Sequence, residues 1–225
     1  MIENTMLIFF KRLMNKLFVS SSRDYWETRY QLGGNSGTGS YGRLSEFKAR
    51  VLNQFVIDKQ IQSVIEFGCG DGHQLSLAHY PRYIGLDVSI TALKACIAQY
   101  KQDKTKSFFL YHADCFADKQ GIFQCDLALS LDVIYHLIED EVFHTYMTHL
   151  FATAQRFVIV YASNTDDNPA YQLKHVKHRQ FSNWVEKNCP QWQLLQHIPN
   201  EYPLENQINN KEHSPSDFFI YQKQI

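Results

Sequence analysis

The sequence lacks the features that mark several classes of protein. Its five cysteines include no CxxC pair and no cysteine–histidine spacing of a zinc site, so we expect free thiols in a reducing cytosol and no metal. No run approaches the roughly 20 apolar residues of a membrane span. A net charge of −1 provides no bulk attraction for nucleic acid. These absences favour a cytoplasmic globular protein, and 225 residues predict one domain with elaborations.

The first 22 residues differ from the rest of the chain. An apolar run at residues 6–10 is followed by Lys11, Arg12 and Lys16, which alternate with apolar residues. A signal peptide carries its basic residues before the apolar run, so secretion is not expected. A basic amphipathic helix over residues 1–19 can contact a membrane surface. A helix packed on the domain, or a frayed terminus, is the simpler interpretation.

Three glycines at alternate positions follow an apolar run. Residues 64–67 lead into Gly68, Gly70 and Gly72, which predicts a buried strand, a tight turn and then a helix. Glycine lets the backbone approach a ligand where a Cβ would collide, and a helix N-terminus presents free N–H groups. The dinucleotide pattern G-x-G-x-x-G requires a glycine where this chain has His73, and no Gly-Lys-Ser/Thr of a phosphate loop follows.

Carboxylates end the first three predicted strands. Asp87 follows Glu66 by 21 positions, the interval at which a Rossmann-like unit places an acid on a ribose diol. Asp114 and Cys115 follow the third strand. After the first, the predicted parallel strands cover residues 83–88, 107–111, 126–131 and 157–161. Helices predicted over residues 90–101 and 138–155 alternate with them, which indicates a parallel sheet with helices on both faces.

Together, the glycine turn and the strand-end acids resemble the class I S-adenosylmethionine (SAM) methyltransferases over roughly residues 63–161. The resemblance implies an α/β, Rossmann-like sandwich with a seven-stranded, mostly parallel sheet in the order 3-2-1-4-5-7-6. Residues 192–198 and 217–221 would form its final antiparallel pair. It also implies SAM as the cofactor.

In such enzymes Glu66 would orient the amino group, Asp87 would accept hydrogen bonds from the ribose, and Asp114 would meet the adenine. The cofactor-binding residues implied by the resemblance are Glu66, Gly68, Cys69, Gly70, Gly72, Asp87, Val88, Asp114, Cys115, Ser130 and Leu131.

An aromatic segment and a glycine-rich loop precede this core. Five of the ten glycines fall within residues 33–42, directly before a helix predicted over residues 44–58. We interpret the loop as a lid over the SAM pocket, although a flexible linker would explain it more simply. The segment resembles the cap of several small-molecule methyltransferases and of a bacterial subgroup associated with surface-polysaccharide and natural-product pathways. The predicted lid residues are Tyr25, Trp26, Arg29, Tyr30, Ser40, Tyr41 and Arg43.

A hydroxyl acceptor needs a base as well as alignment with the methyl group. His136, just past strand 4, can take a proton near neutral pH, but a structural role in starting the next helix is an equal alternative. Tyr135 is a second candidate for a catalytic role, or it could instead shape the pocket wall. A phosphate or carboxylate of the acceptor could be held by three basic residues after strand 5, alongside Arg29 or Arg43, or the three could simply form a solvated helix start. These three are His175, His178 and Arg179.

We therefore expect an N-terminal extension at residues 1–22 and one domain at residues 23–225. Within the domain, residues 23–60 form the lid, residues 61–162 the SAM-binding core, and residues 163–225 the acceptor side. The predicted function is methyl transfer from SAM to a small polar acceptor, a hydroxyl of a sugar or phosphorylated metabolite, by a monomer or homodimer.

Three alternatives stay open at this point. The first is a non-catalytic SAM-fold protein attached to a membrane or partner through its N-terminal helix. The second is an NAD(P)-dependent oxidoreductase, which His73 disfavours. The third is nucleic-acid methylation, for which the chain lacks a basic stripe and an N/D-P-P-Y/F motif after strand 4.

Overall fold

The computed structural model describes residues 21–170, 173–204 and 212–224. The strands are β1 Val64–Phe67, β2 Tyr83–Asp87, β3 Lys106–Leu110, β4 Cys125–Leu131, β5 Ala154–Ala162, β6 Trp192–Ile198 and β7 Asp217–Lys223. The α-helices are α1 Ser22–Gln31, α2 Gly42–Asp58, α3 Ile90–Gln99, α4 Asp140–Thr153 and α5 Phe181–Asn188. Short 3₁₀ turns occur at Thr38–Ser40, Gln74–Leu77 and Ile134–His136.

All seven strands belong to one sheet in the order β3-β2-β1-β4-β5-β7-β6. The first five strands pair in parallel, and β7 pairs antiparallel with both β5 and β6. Val64 of β1 is opposite Tyr83 on one side and Leu127 on the other, so β1 and β4 occupy the middle of the sheet. The fold predicted from the sequence is confirmed, including the strand order.

Helices cover both faces of the sheet because its central strands are apolar on both sides. On one face, Met147 and Leu150 of α4 pack in the same cluster as Ala128 and Val158. On the other face, the helix that begins just after the glycine-rich loop, α2, supplies a second cluster. Its buried side chains are Phe47, Leu52, Phe55 and Val56, and they pack with Val64, Leu127, Leu129 and Ile159.

The helix expected directly after the glycine turn is not formed. The chain makes only the 3₁₀ turn Gln74–Leu77 before β2 begins. The turn ends at Gly72, and Pro81 forces the preceding residue toward an extended conformation, so too few residues remain for a helix. Helix α2 packs against this segment instead, since Gln74 Nε2 donates to the carbonyl of Ser45 in α2 at 3.1 Å. The prediction of free helical N–H groups at this turn was therefore wrong.

The predicted amphipathic extension falls almost entirely on residues 1–20, which lie outside the described residues, as does the membrane-contact hypothesis for residues 1–19. Within the described ranges, no helix is both long and apolar enough to cross a bilayer.

Truncating the α2 core side chain Leu52 to alanine is expected to lower the free energy of unfolding by about 2–5 kcal/mol. Leu52 is 0% exposed between α2 and the sheet, so its removal leaves a cavity that the sheet cannot fill. Urea unfolding followed by circular dichroism measures the change. Ile57→Ala on the same helix is the matched control: Ile57 is 65% exposed, and its truncation should alter stability by less than about 0.5 kcal/mol. Equal losses in the two variants would contradict the packing described.

Candidate functional site

One cavity of about 360 Å³ lies beyond the carboxyl ends of β1, β2 and β4. Open α/β sheets bind ligands at this edge, where the strand order reverses. Helix α1 and the glycine-rich loop, which together are called the lid below, also contribute residues to the cavity wall. Its wall is formed by residues at the carboxyl ends of four strands and by the lid. They are Glu66, Gly68, Cys69 and Gly70 at the end of β1, Asp87 and Val88 at the end of β2, His112 and Asp114 after β3, Leu131 to Val133 at the end of β4, and Trp26, Tyr30 and Ser40 from the lid.

Two buried carboxylates, Glu66 and Asp87, face this cavity. The Tyr83 hydroxyl donates to Glu66 Oε2 at 2.6 Å, and burial raises the pKa of Glu66 to about 7. The two oxygens of Asp87 accept from the Gly70 and Ser89 N–H groups, each at 2.8 Å. Burial raises the pKa of Asp87 to about 6, although these two hydrogen bonds act in the opposite direction.

The glycine turn brings the lid close rather than leaving open space. A Cβ on Gly70, whose φ is +58°, would collide with the hydroxyls of Ser36 and Tyr30. The Gly70 N–H is itself used by Asp87. Gly72 faces away from the cavity and packs against Cys96 and Tyr100. The small residue at position 70 therefore allows lid and turn to touch.

A carboxylate in the glycine turn fastens the lid loop. Asp71 Oδ2 accepts from the Ser36 N–H at 3.0 Å and from the Tyr41 hydroxyl at 2.8 Å. In return, the Asp71 N–H donates to Ser36 Oγ at 3.0 Å. Burial opposes ionisation of Asp71, but these hydrogen bonds outweigh it and lower the pKa of Asp71.

Glu27 fastens α1 in the same way. Its carboxylate accepts from the Ser89 hydroxyl at 2.6 Å and from the Thr91 hydroxyl at 2.7 Å, at the N-terminus of α3. These hydrogen bonds outweigh partial burial and lower the pKa of Glu27. The sequence analysis missed both Glu27 and Asp71 as functional residues. The signal available was the Ser89–Thr91 helix start, which attracts a carboxylate.

A buried ion pair lies beneath the lid. Lys48 Nζ of α2 donates to Asp132 Oδ2 at 2.7 Å, and the side chains are 0% and 10% exposed. Asp132 Oδ1 also accepts from the Tyr135 and Ser216 hydroxyls, each at 3.0 Å. Sequence reasoning missed this pair. Its signal was a lysine on the apolar face of α2, four residues after Leu44, where a charge requires a partner.

His136 lies on the cavity wall with a defined tautomer. Its Nδ1 is 3.0 Å from the His175 carbonyl oxygen, which can only accept, so Nδ1 carries the hydrogen and Nε2 is left as an acceptor. Burial lowers the pKa of His136 to about 4, so the ring is neutral near pH 7. Trp26 packs edge-on against it at 4.9 Å between ring centroids.

Eleven of the predicted site residues do not line the cavity in the part of the chain that the structure describes. They are Gly72, Cys115, Ser130, Tyr135, Tyr25, Arg29, Tyr41, Arg43, His175, His178 and Arg179. Most of them hold the scaffold around the site instead. Ser130 Oγ accepts from the Tyr146 hydroxyl at 2.8 Å, and Tyr25 stacks on the His175 ring at 4.2 Å. Ser163 and His178 hydrogen-bond each other.

The predicted anion-binding arginines are used in loop contacts. Arg179 donates to the Leu137 carbonyl at 2.7 Å and pairs with Asp140 at 2.8 Å, which fixes the start of α4. Arg43 donates to the Glu212 carbonyl at 2.9 Å. Arg29 donates to the Asn35 carbonyl at 2.7 Å and so shapes the lid loop. Their role in binding an acceptor stays a prediction that the cavity geometry does not favour.

Within the same ranges, no group of three or more His, Cys, Asp or Glu residues is placed to hold a metal ion.

Comparison with known proteins identifies the fold. No protein-family model and no curated protein matches the chain. The methyltransferase domain of bacterial CtHen1-C is similar in structure, with a TM-score of 0.61 and 19% identity over 79% of this chain and 97% of that one. Magnesium protoporphyrin IX methyltransferase (ChlM) from Synechocystis, with bound S-adenosylhomocysteine (SAH), gives 0.63 and 14% over 90% and 98%.

A third similar structure is the N-methyltransferase NodS from Bradyrhizobium japonicum in complex with SAH. It gives a TM-score of 0.61 and 13% identity over 79% of this chain and 86% of that one. At these identities the likeness establishes the fold: the chain has the Rossmann-like fold of class I SAM-dependent methyltransferases.

Substituting Asp71 with asparagine is expected to loosen the lid loop. The amide cannot accept two charge-assisted hydrogen bonds, so amide hydrogens of residues 36–41 should exchange roughly tenfold faster. Hydrogen exchange with mass spectrometry measures this. Asp126→Asn is the matched control, because Asp126 also caps backbone N–H groups, of Gln62 and Ser63, at the opposite end of the sheet. Unchanged exchange of the lid in Asp71→Asn would argue against the fastening role.

Proposed function

We propose that this protein is a SAM-dependent methyltransferase that acts on a small polar acceptor. The observation that carries the proposal is a single cavity, at the switch point of a class I methyltransferase fold, whose wall combines the glycine turn with Glu66, Asp87 and Asp114. These are the residues that the resemblance assigned to the amino group, the ribose and the adenine.

The charges on the cavity wall suit a cationic ligand. Five acids contribute to the wall, Glu66, Asp87, Asp114, Asp132 and Glu139, against the cations Lys48 and Arg23. Lys48 is already compensated by Asp132. SAM carries a net positive charge, and burying unpaired carboxylates is costly, so such a ligand would relieve that cost.

Open hydrogen-bonding positions also fit this ligand. Gln74 Oε1 and Glu139 Oε2 are buried on the wall and have no partner among the described residues. Buried acceptors of this kind are rare in folded proteins and indicate a missing donor. The amino group and the adenine amine of SAM supply N–H donors. Gln74 lies near the glycine turn and would complement Glu66 at the methionine end.

SAM, when bound, would supply a methyl group on a sulfonium whose departure leaves a neutral thioether. The protein's part is then to align the acceptor and exclude water. Asp87 is held by Gly70 and Ser89 with both oxygens in place, so it can accept from two ribose hydroxyls without reorganising. The fastened lid, which places Trp26 and Tyr30 on the wall, would cover the reacting groups and limit the access of water.

The charges on the cavity wall also bear on the class of acceptor. We propose a hydroxyl of a sugar or similar metabolite, in line with the likeness of the lid segment to the polysaccharide and natural-product subgroup. The phosphorylated acceptor considered from the sequence is disfavoured, because the wall is acidic and Arg29, Arg43 and Arg179 serve loop contacts. The similar structures include a small RNA methyltransferase, a magnesium protoporphyrin IX methyltransferase and an N-methyltransferase, so they do not select an acceptor.

Calorimetry with SAH tests the cofactor assignment. We expect wild-type protein to bind SAH, and Asp87→Ala to weaken binding roughly ten- to 100-fold, because hydrogen bonds to a charged group are lost. Binding should also weaken as the pH falls through about 6, since the carboxylate of Asp87 must be ionised to accept both ribose hydrogens. Its raised pKa places that loss in a measurable range.

Asp118→Ala is the matched control for this experiment. Asp118 likewise accepts two backbone N–H groups, those of Ile122 and Phe123, but it does not contribute to the cavity. Well-folded wild-type protein that binds no SAH at millimolar concentration, or that binds NADH instead, would refute the proposed function.

His136 has two alternative roles, as the catalytic base or as a structural residue of the pocket wall. Its low pKa makes it a weak base, so we propose that it shapes the pocket rather than receiving the proton. Replacing it with asparagine, whose side-chain N–H can still donate to the His175 carbonyl, should lower kcat by less than about tenfold. The assay is methyl uptake from labelled SAM into a sugar panel, followed across pH. A loss of 100-fold or more, with loss of the acid limb of the pH profile, would instead identify His136 as the base.

A further inference from the structure

We infer that Asp132 holds the reacting group of the acceptor, whose O–H or N–H hydrogen donates to its Oδ2, and that Lys48 is a positioning residue behind it. The inference rests on the proposed function and adds the residue at the reacting atoms.

Asp132 lies at the carboxyl end of the middle strand of the sheet, β4. It is the first residue after β4, and it contributes to the cavity wall between Leu131 and Val133. Its backbone has a φ of +59°, which is uncommon for a residue other than glycine, and its N–H still donates to the Tyr161 carbonyl at 2.8 Å. Such a conformation persists only where the surroundings enforce it, and it occurs most often at functional sites.

The carboxylate has one position left for a ligand. A carboxylate accepts at about four lone-pair positions. On Asp132 Oδ1, both are taken, by the hydroxyls of Tyr135 and Ser216. On Oδ2, within the described part of the chain, only Lys48 donates. The second position of Oδ2 is therefore open to an O–H or N–H hydrogen.

The burial of Lys48 is difficult to explain by stability alone. Its side chain is 0% exposed. Among the residues that the structure describes, its ammonium donates a hydrogen bond only to Asp132, and it lies 5.3 Å from the centre of the Tyr161 ring. Burying two charges costs as much as their attraction returns, so an apolar pair would join α2 to the sheet at least as well. The pair instead fixes the orientation and charge of a carboxylate at the cavity.

The lid is shaped to fit over this oxygen. A Cβ on Gly39, in the 3₁₀ turn Thr38–Ser40, would lie 2.7 Å from Asp132 Oδ2. The loop therefore approaches Oδ2 with its smallest residue, and any larger side chain at position 39 would occupy the space beside this oxygen.

Methyl transfer would be a single displacement at the methyl carbon, in which the acceptor also loses a proton. The acceptor's lone pair forms the new bond to the methyl carbon, and the carbon–sulfur bond breaks with its electron pair left on sulfur. The acceptor's proton passes along the hydrogen bond to Asp132 and then to solvent. An acceptor must therefore bring a hydrogen on the atom to be methylated, as a hydroxyl or neutral amine does, whereas a phosphate or carboxylate oxygen brings none and is repelled.

The test compares two ligands that differ at the position of the sulfur, the atom that carries the methyl group in SAM. SAH has a neutral sulfur there, whereas sinefungin has a carbon that bears a protonated amino group. We expect wild-type protein to bind sinefungin at least about tenfold more tightly than SAH in calorimetry, because the ammonium donates to Asp132. In Asp132→Asn this preference should fall to about threefold or less, while the Kd for SAH itself changes by less than about threefold.

Asp114→Asn is the matched control, since it removes the same charge at the other end of the cavity. It should shift both affinities together and preserve the wild-type preference. Because Asp132→Asn leaves Lys48 without a counter-charge and can unfold, Lys48→Met combined with Asp132→Asn provides a second variant without a buried unpaired charge. It too should lose the preference for sinefungin.

The outcomes separate the two proposals. Equal binding of both ligands to wild-type protein, or a preference that survives in either Asp132 variant, would overturn the role of Asp132 and leave SAM binding intact. Loss of stability with an unchanged preference would show that the pair is merely structural. Binding of neither ligand to wild-type protein would remove the proposed function, and this inference with it.

Discussion

Buried and half-buried carboxylates organise the carboxyl edge of the sheet. A carboxylate removed from water must accept hydrogen bonds, and here each one recruits donors from a different part of the chain. Asp87 joins the glycine turn to the start of α3, and Asp71 joins that turn to the lid loop. Glu27 joins α1 to α3, and Asp132 joins α2, the turn after β4 and the start of β7. These four groups join the elements whose residues line the cavity.

The same arrangement stores electrostatic cost at the site. The pKa values of Glu66 and Asp87, raised to about 7 and about 6, mean that their contribution to stability is present at low pH and is lost as the pH rises through those values. His136 acts in the opposite sense. Its pKa is lowered to about 4, so its contribution is present above about 6.5 and is lost as the pH falls toward 4. Near neutral pH the acids are the costly groups, and a cationic ligand offsets them.

Much of the fold could be predicted because strand-forming runs and strand-end residues are local signals. The mainly apolar strands β1 and β4 are almost wholly buried, as their composition indicated, and the late pair β6 and β7 lies where the family resemblance placed it. The helix expected after Gly72 is missing partly for a local reason, since Pro81 leaves too few residues for it, but the packing of the earlier helix α2 against this segment could not be predicted from periodicity. Tertiary packing overrode a local pattern.

The candidate site divides in the same way. Glu66, Gly70, Asp87 and Asp114 were identified from the sequence because each lies at a fixed place relative to a parallel strand, and parallel strands bring their carboxyl ends to one edge. The anion-binding role assigned to Arg179 had no such constraint, and folding directs its guanidinium to the carbonyls of Leu137 and Ile138.

The sequence by itself thus determined the strands and the strand-end acids, since these depend on periodicity and spacing along the chain, while the strand order came from the family resemblance. Only the tertiary structure decided that Lys48 meets Asp132, that Asp71 meets Ser36, and that Tyr135 turns from the cavity to a carboxylate. The physical reason is that hydrogen bonds and ion pairs form between whichever groups the packed core brings within about 3 Å, whatever their separation in the chain.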